Sequence, residues 1–325
     1  MLDKTDKRLL FELDSNSRTP LVELGKKLKL LPETVSYKLQ RLHANGILKG
    51  SYAVINGARL GYMHHKVFIR LQNATEREIE SIIRFSAALP SVMRVIRFDG
   101  EFDLDVVVKV VGVKEFDDCI SAITGRFFKF IRHRSVAMNV WARYFPRNYL
   151  AERSRKENFH RGYDSSGSVI EIDRLDRFLL EQLAANSRVS GAELERMLEQ
   201  SDGLPVLSSV ALLQRIKRLE KNGIITGYAA RIESSKMGQN AYKVVLYLNA
   251  RSGQEIDLFE DYCSAHMNVV HLIKTIGRWD YELDVEFPSK ADLRFFLSEL
   301  SKKFPQLVRD YTTLDYLSVH KYSFI

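Results

Sequence analysis

The chain has 325 residues, 45% hydrophobic and 28% charged, with a net charge of +8. That balance excludes a disordered chain, and the length allows two or more separate cores. No apolar run reaches the ~18–20 residues a membrane span needs, and the start (M-L-D-K-T-D-K-R) lacks a signal-peptide core, so a cytoplasmic protein without membrane association is expected.

From the N-terminus, Leu9, Leu10 and Leu13 fall at helical spacing over 6–13, with Asp3 or Thr5 available as N-cap. Thr19 is placed to cap a second helix that starts at Pro20 and buries Leu21, Leu24 and Leu28. After a short turn at 29–31, a third helix over 32–44 buries Val35, Leu39 and Leu42. Gly46 follows where a left-handed residue is wanted. Three short helices with a tight turn between the last two form a helix-turn-helix pattern, and 47–55 reads as its β wing. The period then changes. Strands are expected at 66–71, 92–98, 104–111 and 135–144, with helices at 75–88 and 114–124, in the order β-α-β-β-α-β. Residues 151–168 are polar and basic with Gly and Ser, and read as a linker. Positive charge concentrates in the first 162 residues, with 29 Lys+Arg against 18 Asp+Glu, while the rest has 20 against 23. Part of it lies near the junction, in Arg143, Arg147, Arg153, Arg155, Lys156 and Arg161, and reads as a solvated basic stretch.

The pattern then repeats. Asp3, Asp6, Asn16, Ser17, Arg18 and Leu24 recur 170 positions later as Asp173, Asp176, Asn186, Ser187, Arg188 and Leu194. From Arg41/Arg218 onward the offset is 177, through Gly46/Gly223, Gly100/Gly277, Asp103/Asp280 and Arg132/Arg309. A constant offset over this length indicates an internal duplication with a seven-residue insertion in the second copy, around 199–206. In that copy strands are expected at 243–248, 269–276, 281–287 and 308–322, and helices at 254–264 and 290–304. Two copies are too few for a solenoid and suggest a dimer fused into one chain. The fold class is therefore α+β, with two winged helix-turn-helix units each followed by a ferredoxin-like βαββαβ domain. The expected divisions are 1–56, 57–150, a linker at 151–170, 171–232 and 233–325.

L-D-K-T-D-K-R-L-L at 2–10, N-S-R at 16–18 and L-Q-R-L-H-A-N-G-I-L-K-G at 39–50 resemble the Lrp/AsnC (feast/famine) transcriptional regulators. So do I-D-R-L-D-R-F-L-L at 172–180, N-S-R at 186–188 and I-K-R-L-E-K-N-G-I-I-T-G-Y at 216–228, and the turns D-G-E-F-D at 99–103 and G-R-W-D-Y at 277–281. The family usually has one copy per chain. The resemblance implies double-stranded DNA as partner, pairing of the βαββαβ (RAM/ACT-like) domains in self-association, and a small effector, often an amino acid, near the hairpin turns. The helical step puts Glu33, Tyr37, Gln40 and Ala44 opposite the buried stripe, with Ser36, Lys38 and Arg41 beside them. The second copy offers Gln214, Arg215, Lys217, Arg218 and Lys221. Arg and Gln can bond base edges in pairs, and Lys neutralises phosphate; the bland alternative is an ordinary solvated helix face. By the resemblance, an effector would meet Gly100, Phe102, Asp103, Gly277, Trp279 and Asp280; the alternative there is a structural turn.

No enzyme, cofactor or metal is expected. The eight histidines have no metal-binding spacing, and His64 and His65 adjoin on a strand and so point to opposite faces. Cys119 and Cys263 belong to no C-x-x-C and read as plain thiols. One enzyme class shares the architecture, the Lrp-like siroheme decarboxylases. The Cys-Tyr-x-Arg stretch associated with them is replaced by V-M-R-V-I-R at 92–97. The other alternative is an effector sensor that has lost DNA binding.

Overall fold

The computed structural model describes residues 2–152, 161–201, 203–249 and 253–323. Arg153, Arg155 and Lys156 of the basic junction lie outside these residues, as does Asp202 of the insertion. Helices α1 (Lys4–Ser15), α2 (Leu21–Leu28) and α3 (Pro32–Ala44) form the first helix-turn-helix. Asp3 caps α1 by accepting from Asp6 N, and Asp6 returns the bond to Asp3 N. Pro20, rather than Thr19, precedes α2; the Thr19 hydroxyl instead donates to the Asn16 carbonyl. Gly46 has φ +67, as its place after α3 requires.

Strand β1 (Leu48–Ile55) makes no hairpin of its own. Its antiparallel partner is β7 (Ile225–Ile232), the strand after the second helix-turn-helix, with Leu48 opposite Ile232. The expected wings are therefore two strands of one shared ribbon. Each strand is followed by a 3₁₀ turn rather than a return strand, so its ladder bonds must come from elsewhere in the chain. Helix α1 lies against β7, and α6 (Arg174–Ala185) against β1, so each reader's core borrows the other half's strand.

Next come β2 (Met63–Leu71), α4 (Glu76–Ala88), β3 (Val92–Asp99), β4 (Leu104–Val110), α5 (Val113–Phe127), β5 (Ile131–Tyr144) and the short β6 (Gly162–Asp164). The second half runs α6 (Arg174–Ala185), α7 (Gly191–Glu199), α8 (Ser209–Lys221), β7, β8 (Asn240–Leu248), α9 (Gly253–Ala265), β9 (Val269–Gly277), β10 (Tyr281–Phe287), α10 (Lys290–Lys303) and β11 (Val308–Tyr322). The eight long strands follow one another as β2-β4-β3-β11-β8-β10-β9-β5, and β5 pairs back onto β2. All these pairs are antiparallel, and the sheet closes into a barrel at the middle of the two long strands, where β5 passes from β2 to β9 at Ala137–Met138 and β11 from β8 to β3 at Asp315. Alternate residues of each strand face opposite sides. Val67, Ile69, Val106 and Val108 pack under α4 and α5, and Val244, Leu246, Leu283 and Val285 under α9 and α10. Lys66, Phe68, Asp105, Lys243, Val245, Glu282 and Asp284 are buried on the other face, inside the barrel.

The segment read as a solvated linker is partly built into the body. β6 pairs with Trp141–Arg143 of β5, and Tyr163 is buried with its ring stacked on His64, centroids 4.1 Å apart. Arg161 is buried and donates to the carbonyls of Asp14 (2.6 Å) and Tyr228 (2.9 Å). Arg147 is held by both Asp14 and Glu286. These cations satisfy interior acceptors where the halves meet, which is why they are not on the surface. Among the described residues, no helix is long and apolar enough to cross a membrane, and no cluster of His, Cys, Asp or Glu is arranged to hold a metal. Cys119 and Cys263 are both buried free thiols.

Candidate nucleic-acid interface and a cavity at the barrel mouth

The two candidate recognition helices, α3 and α8, are each 13 residues long and start 177 positions apart. The insertion before α8 therefore leaves its register unchanged. Leu204 and Leu207 tuck against the core while Val206 is exposed, and Ser208 caps the helix. Both helices are pinned to the first helix of their unit in the same way. The Lys38 ammonium lies 2.8 Å from Asp3 Oδ2 and 2.9 Å from Asp6 Oδ1, and Arg41 also bonds Asp6, which is fully buried. In the second unit Arg215 reaches Asp173 at 2.6 Å and Asp176 at 2.9 Å, and Arg218 reaches Asp176 at 2.7 Å. The hydrogen bond from Lys38 holds Asp3 below the usual carboxylate range. The repeated D-x-x-D is thus an anchor for the recognition helix, a role the sequence reading missed. Its signal was a Lys or Arg three residues before a second Arg, in both copies.

Of the candidate DNA-facing residues, Tyr37, Gln40, Gln214, Lys217 and Lys221 are exposed. Ser36, Lys38 and Arg215 are half-buried, and the Arg41 and Arg218 side chains, 40% and 53% exposed, share their charge with an aspartate. The readers are joined at N-S-R. Ser17 Oγ and Ser187 Oγ, both buried, lie 2.7 Å apart, and Arg188 donates to the carbonyls of Ser17 and Thr19.

The candidate effector residues sit at the far end of the barrel. Phe102 and Trp279 are buried against Phe68, Ile96, Val245 and Leu314 and close that end. Asp103 accepts from Leu71 N and Asp280 from Leu248 N, each at 2.7 Å, so both carboxylates tie a hairpin to the neighbouring strand end. Gly100, at φ +150, and Gly277 lie where a Cβ would fall 2.7 Å from Leu314 Cδ2 and 2.5 Å from the Val136 carbonyl. Only glycine lets the other half's strand approach so closely.

Inside the barrel Glu282 accepts from Lys66 (2.6 Å), Lys243 (2.8 Å) and Trp279 Nε1 (3.1 Å), and Lys243 also bonds Asp284 (2.7 Å). Burial opposes ionisation of Glu282, but the two ammonium groups more than offset it and hold its pKa at about 2. Lys66 has one bonded carboxylate, so burial prevails there and lowers its pKa. Among the described residues neither oxygen of Asp105 has a hydrogen-bond partner, and burial raises its pKa to about 6. The only sequence signal was charge inside apolar strands, as in Y-E-L-D-V-E-F.

Between the ribbon and the barrel lies a cavity of about 600 Å³, lined by Arg94, Tyr144, Arg147, Arg231, His271 and Tyr316 among others. It sits at the positions that, 177 residues earlier, form the bed of β6. In the filled groove His64 stacks on Tyr163, Asn56 bonds the Asp164 backbone, and the Thr226 hydroxyl accepts from Gly162 N. In the open one these places are taken by Ala241, Glu233 and Lys49, and the last two form an ion pair.

Residues 2–43 match the model of the AsnC-type helix-turn-helix domain. The chain is 29% identical to the leucine-responsive regulatory protein of Klebsiella pneumoniae over 140 residues, 42% of this chain and 79% of that one. It is 28% identical to the proline dehydrogenase transcriptional activator of Rhodobacter capsulatus over 117 residues, 36% of this chain and 76% of the relative. Along its whole length the fold is that of the siroheme decarboxylase NirDL, with a TM-score of 0.64 at 13% identity, covering 99% of this chain and 94% of the other. NirDL solved with an iron-uroporphyrin III analogue matches with a TM-score of 0.63 at 12% identity, covering 99% of this chain and 93% of that one. The expectation that the chain is not an enzyme is corrected here. The complete two-half architecture is one that an enzyme uses, so the absence of the Cys-Tyr-x-Arg stretch does not exclude catalysis.

Proposed function

We propose that the chain is a sequence-specific, DNA-binding transcriptional regulator of Lrp/AsnC type, acting in the cytoplasm. In this reading a tandem duplication has fused two protomers into an intramolecular pseudo-dimer. The observation that carries it is the pair of recognition helices, equal in length and register and pinned by the same ion pairs at a fixed mutual position. Two readers held in one body suit two half-sites of an operator. The match at residues 2–43 and the regulators among the relatives support it. An amino-acid effector would meet the hairpins at Gly100, Asp103, Gly277 and Asp280, which keep solvent contact, and would not reach Phe102 and Trp279, which are buried. The test is enrichment of bound duplexes from a random pool, with affinity that falls steeply with salt as phosphate contacts release counterions.

A second reading, a siroheme decarboxylase, is favoured by the full-length likeness and by the open cavity. Its volume is in the range of small-molecule sites, and the guanidinium groups of Arg94, Arg147 and Arg231 suit carboxylates of a tetrapyrrole. Arg147 is already bonded to Glu286 and Asp14, which leaves fewer cations for a ligand. Titrating siroheme into the protein and following visible absorption tests this reading; an unshifted spectrum removes it.

A further inference from the structure

The two readers have the same backbone frame but differ at the start of the helix, the part that meets base edges in a helix-turn-helix. In α3 the second and fifth residues are Glu33 and Ser36; in α8 they are Val210 and Leu213. Val210 is 64% exposed and Leu213 37% exposed, beside the exposed Gln214 and Lys217. The core of this unit takes the opposite face, through Leu212, Ile216 and Leu219. Val210 stands clear of the core, and Leu213 flanks it close to Gly191 at the start of α7.

We propose that Val210 and Leu213 make the second reader select thymine through its 5-methyl group, while Glu33 gives the first reader a preference for cytosine at the matching position. This rests on the DNA-binding reading above. The thymine methyl is the one apolar group on base-pair edges in the major groove, and a carboxylate there can accept from the cytosine amino group. The occupant of this apolar surface is duplex DNA rather than protein because Lys217, Arg218 and Lys221 extend the same exposed side of α8 with positive charge. The insertion leaves the helix in register with α3, the helix of the matched AsnC-type unit.

The experiment uses the intact chain and the duplex selected from a random pool. Thymines of one half-site at a time are replaced by deoxyuridine, which removes only the methyl groups. Each contacted methyl buries about one CH₂ of apolar surface, so its loss weakens binding about fourfold. The effect is expected in one half-site, and the Val210→Ser/Leu213→Ser variant should bind the thymine and uracil duplexes equally. Val210→Glu should shift that half-site toward cytosine. Val210 stands clear of the packed face, so Val210→Ser alone, expected to keep the fold and to lower the uracil penalty, covers any loss of folding from Leu213→Ser. Equal binding of the uracil duplex by the parent protein overturns the proposal, as does a uracil penalty that survives in the double variant. Failure to enrich any duplex overturns the regulator reading itself, and is thereby distinguished from failure of the thymine contact.

Discussion

Replacing Glu282 by Gln removes the charge shared by two buried lysines while keeping nearly the same volume. Lys243 retains Asp284 at 2.7 Å, whereas the ammonium of Lys66 loses the carboxylate that bonds it at 2.6 Å. Both lysines are essentially without solvent contact. Removing one partner of a buried ion pair leaves an uncompensated charge and costs roughly 3–5 kcal/mol. Because Glu282 also accepts from Trp279 Nε1, tryptophan fluorescence during urea unfolding reports on the site directly. The variant should unfold at lower urea with an unchanged slope. Its deficit should shrink as pH rises toward about 10. The Lys66 pKa, already depressed by burial, falls further without Glu282, so the native state sheds a proton that the unfolded chain keeps, and stability rises with pH in that window. Lys66→Met together with Glu282→Met should recover part of the loss. A deficit below about 1 kcal/mol, or one independent of pH, would refute the assignment of these groups to the barrel interior.

Asp105 has its pKa raised to about 6, so the native state holds a proton that the unfolded chain releases near 4; stability should fall as pH rises from about 4 to 6, and Asp105→Asn should flatten that fall and stabilise at pH 7 by roughly 1–3 kcal/mol in denaturant titrations. Ser17→Ala should cost about 1–3 kcal/mol by stranding the buried Ser187 hydroxyl, and the Ser17→Ala/Ser187→Ala double variant less than twice that; strict additivity in a double-mutant cycle would argue against the contact. Asp176→Ala should lower both stability and specific DNA binding, because it releases Arg215 and Arg218. Lys217→Ala should weaken binding about equally for all sequences and lower the salt slope by about one phosphate.

Much of this architecture could be read from residues alone. Helix α3 begins and ends where Pro32 and Gly46 place it, and the alternation in 281–287 marks β10 from end to end. What periodicity does not carry is the environment of the second face. Y-E-L-D-V-E-F reads as a strand with one wet side, yet Glu282 and Asp284 point into a closed barrel. Closure depends on pairings between residues far apart in the chain, β3 with β11 and β5 with β9, which no local pattern encodes. The same reason hid the pairing of β1 with β7 and the bed that β6 occupies. The candidate DNA face was legible as a helix face, whereas the commitment of Lys38 and Arg41 to Asp3 and Asp6 depended on how α1 and α3 cross.

The proposed function requires two DNA readers of the same frame and unequal chemistry on one chain. Selection of bound duplexes from a random pool by the intact protein tests it most directly. A single enriched site of two related, unequal halves, bound by one chain per duplex, is expected. A strictly symmetric site bound by two chains, or a pool with no enrichment, would contradict it.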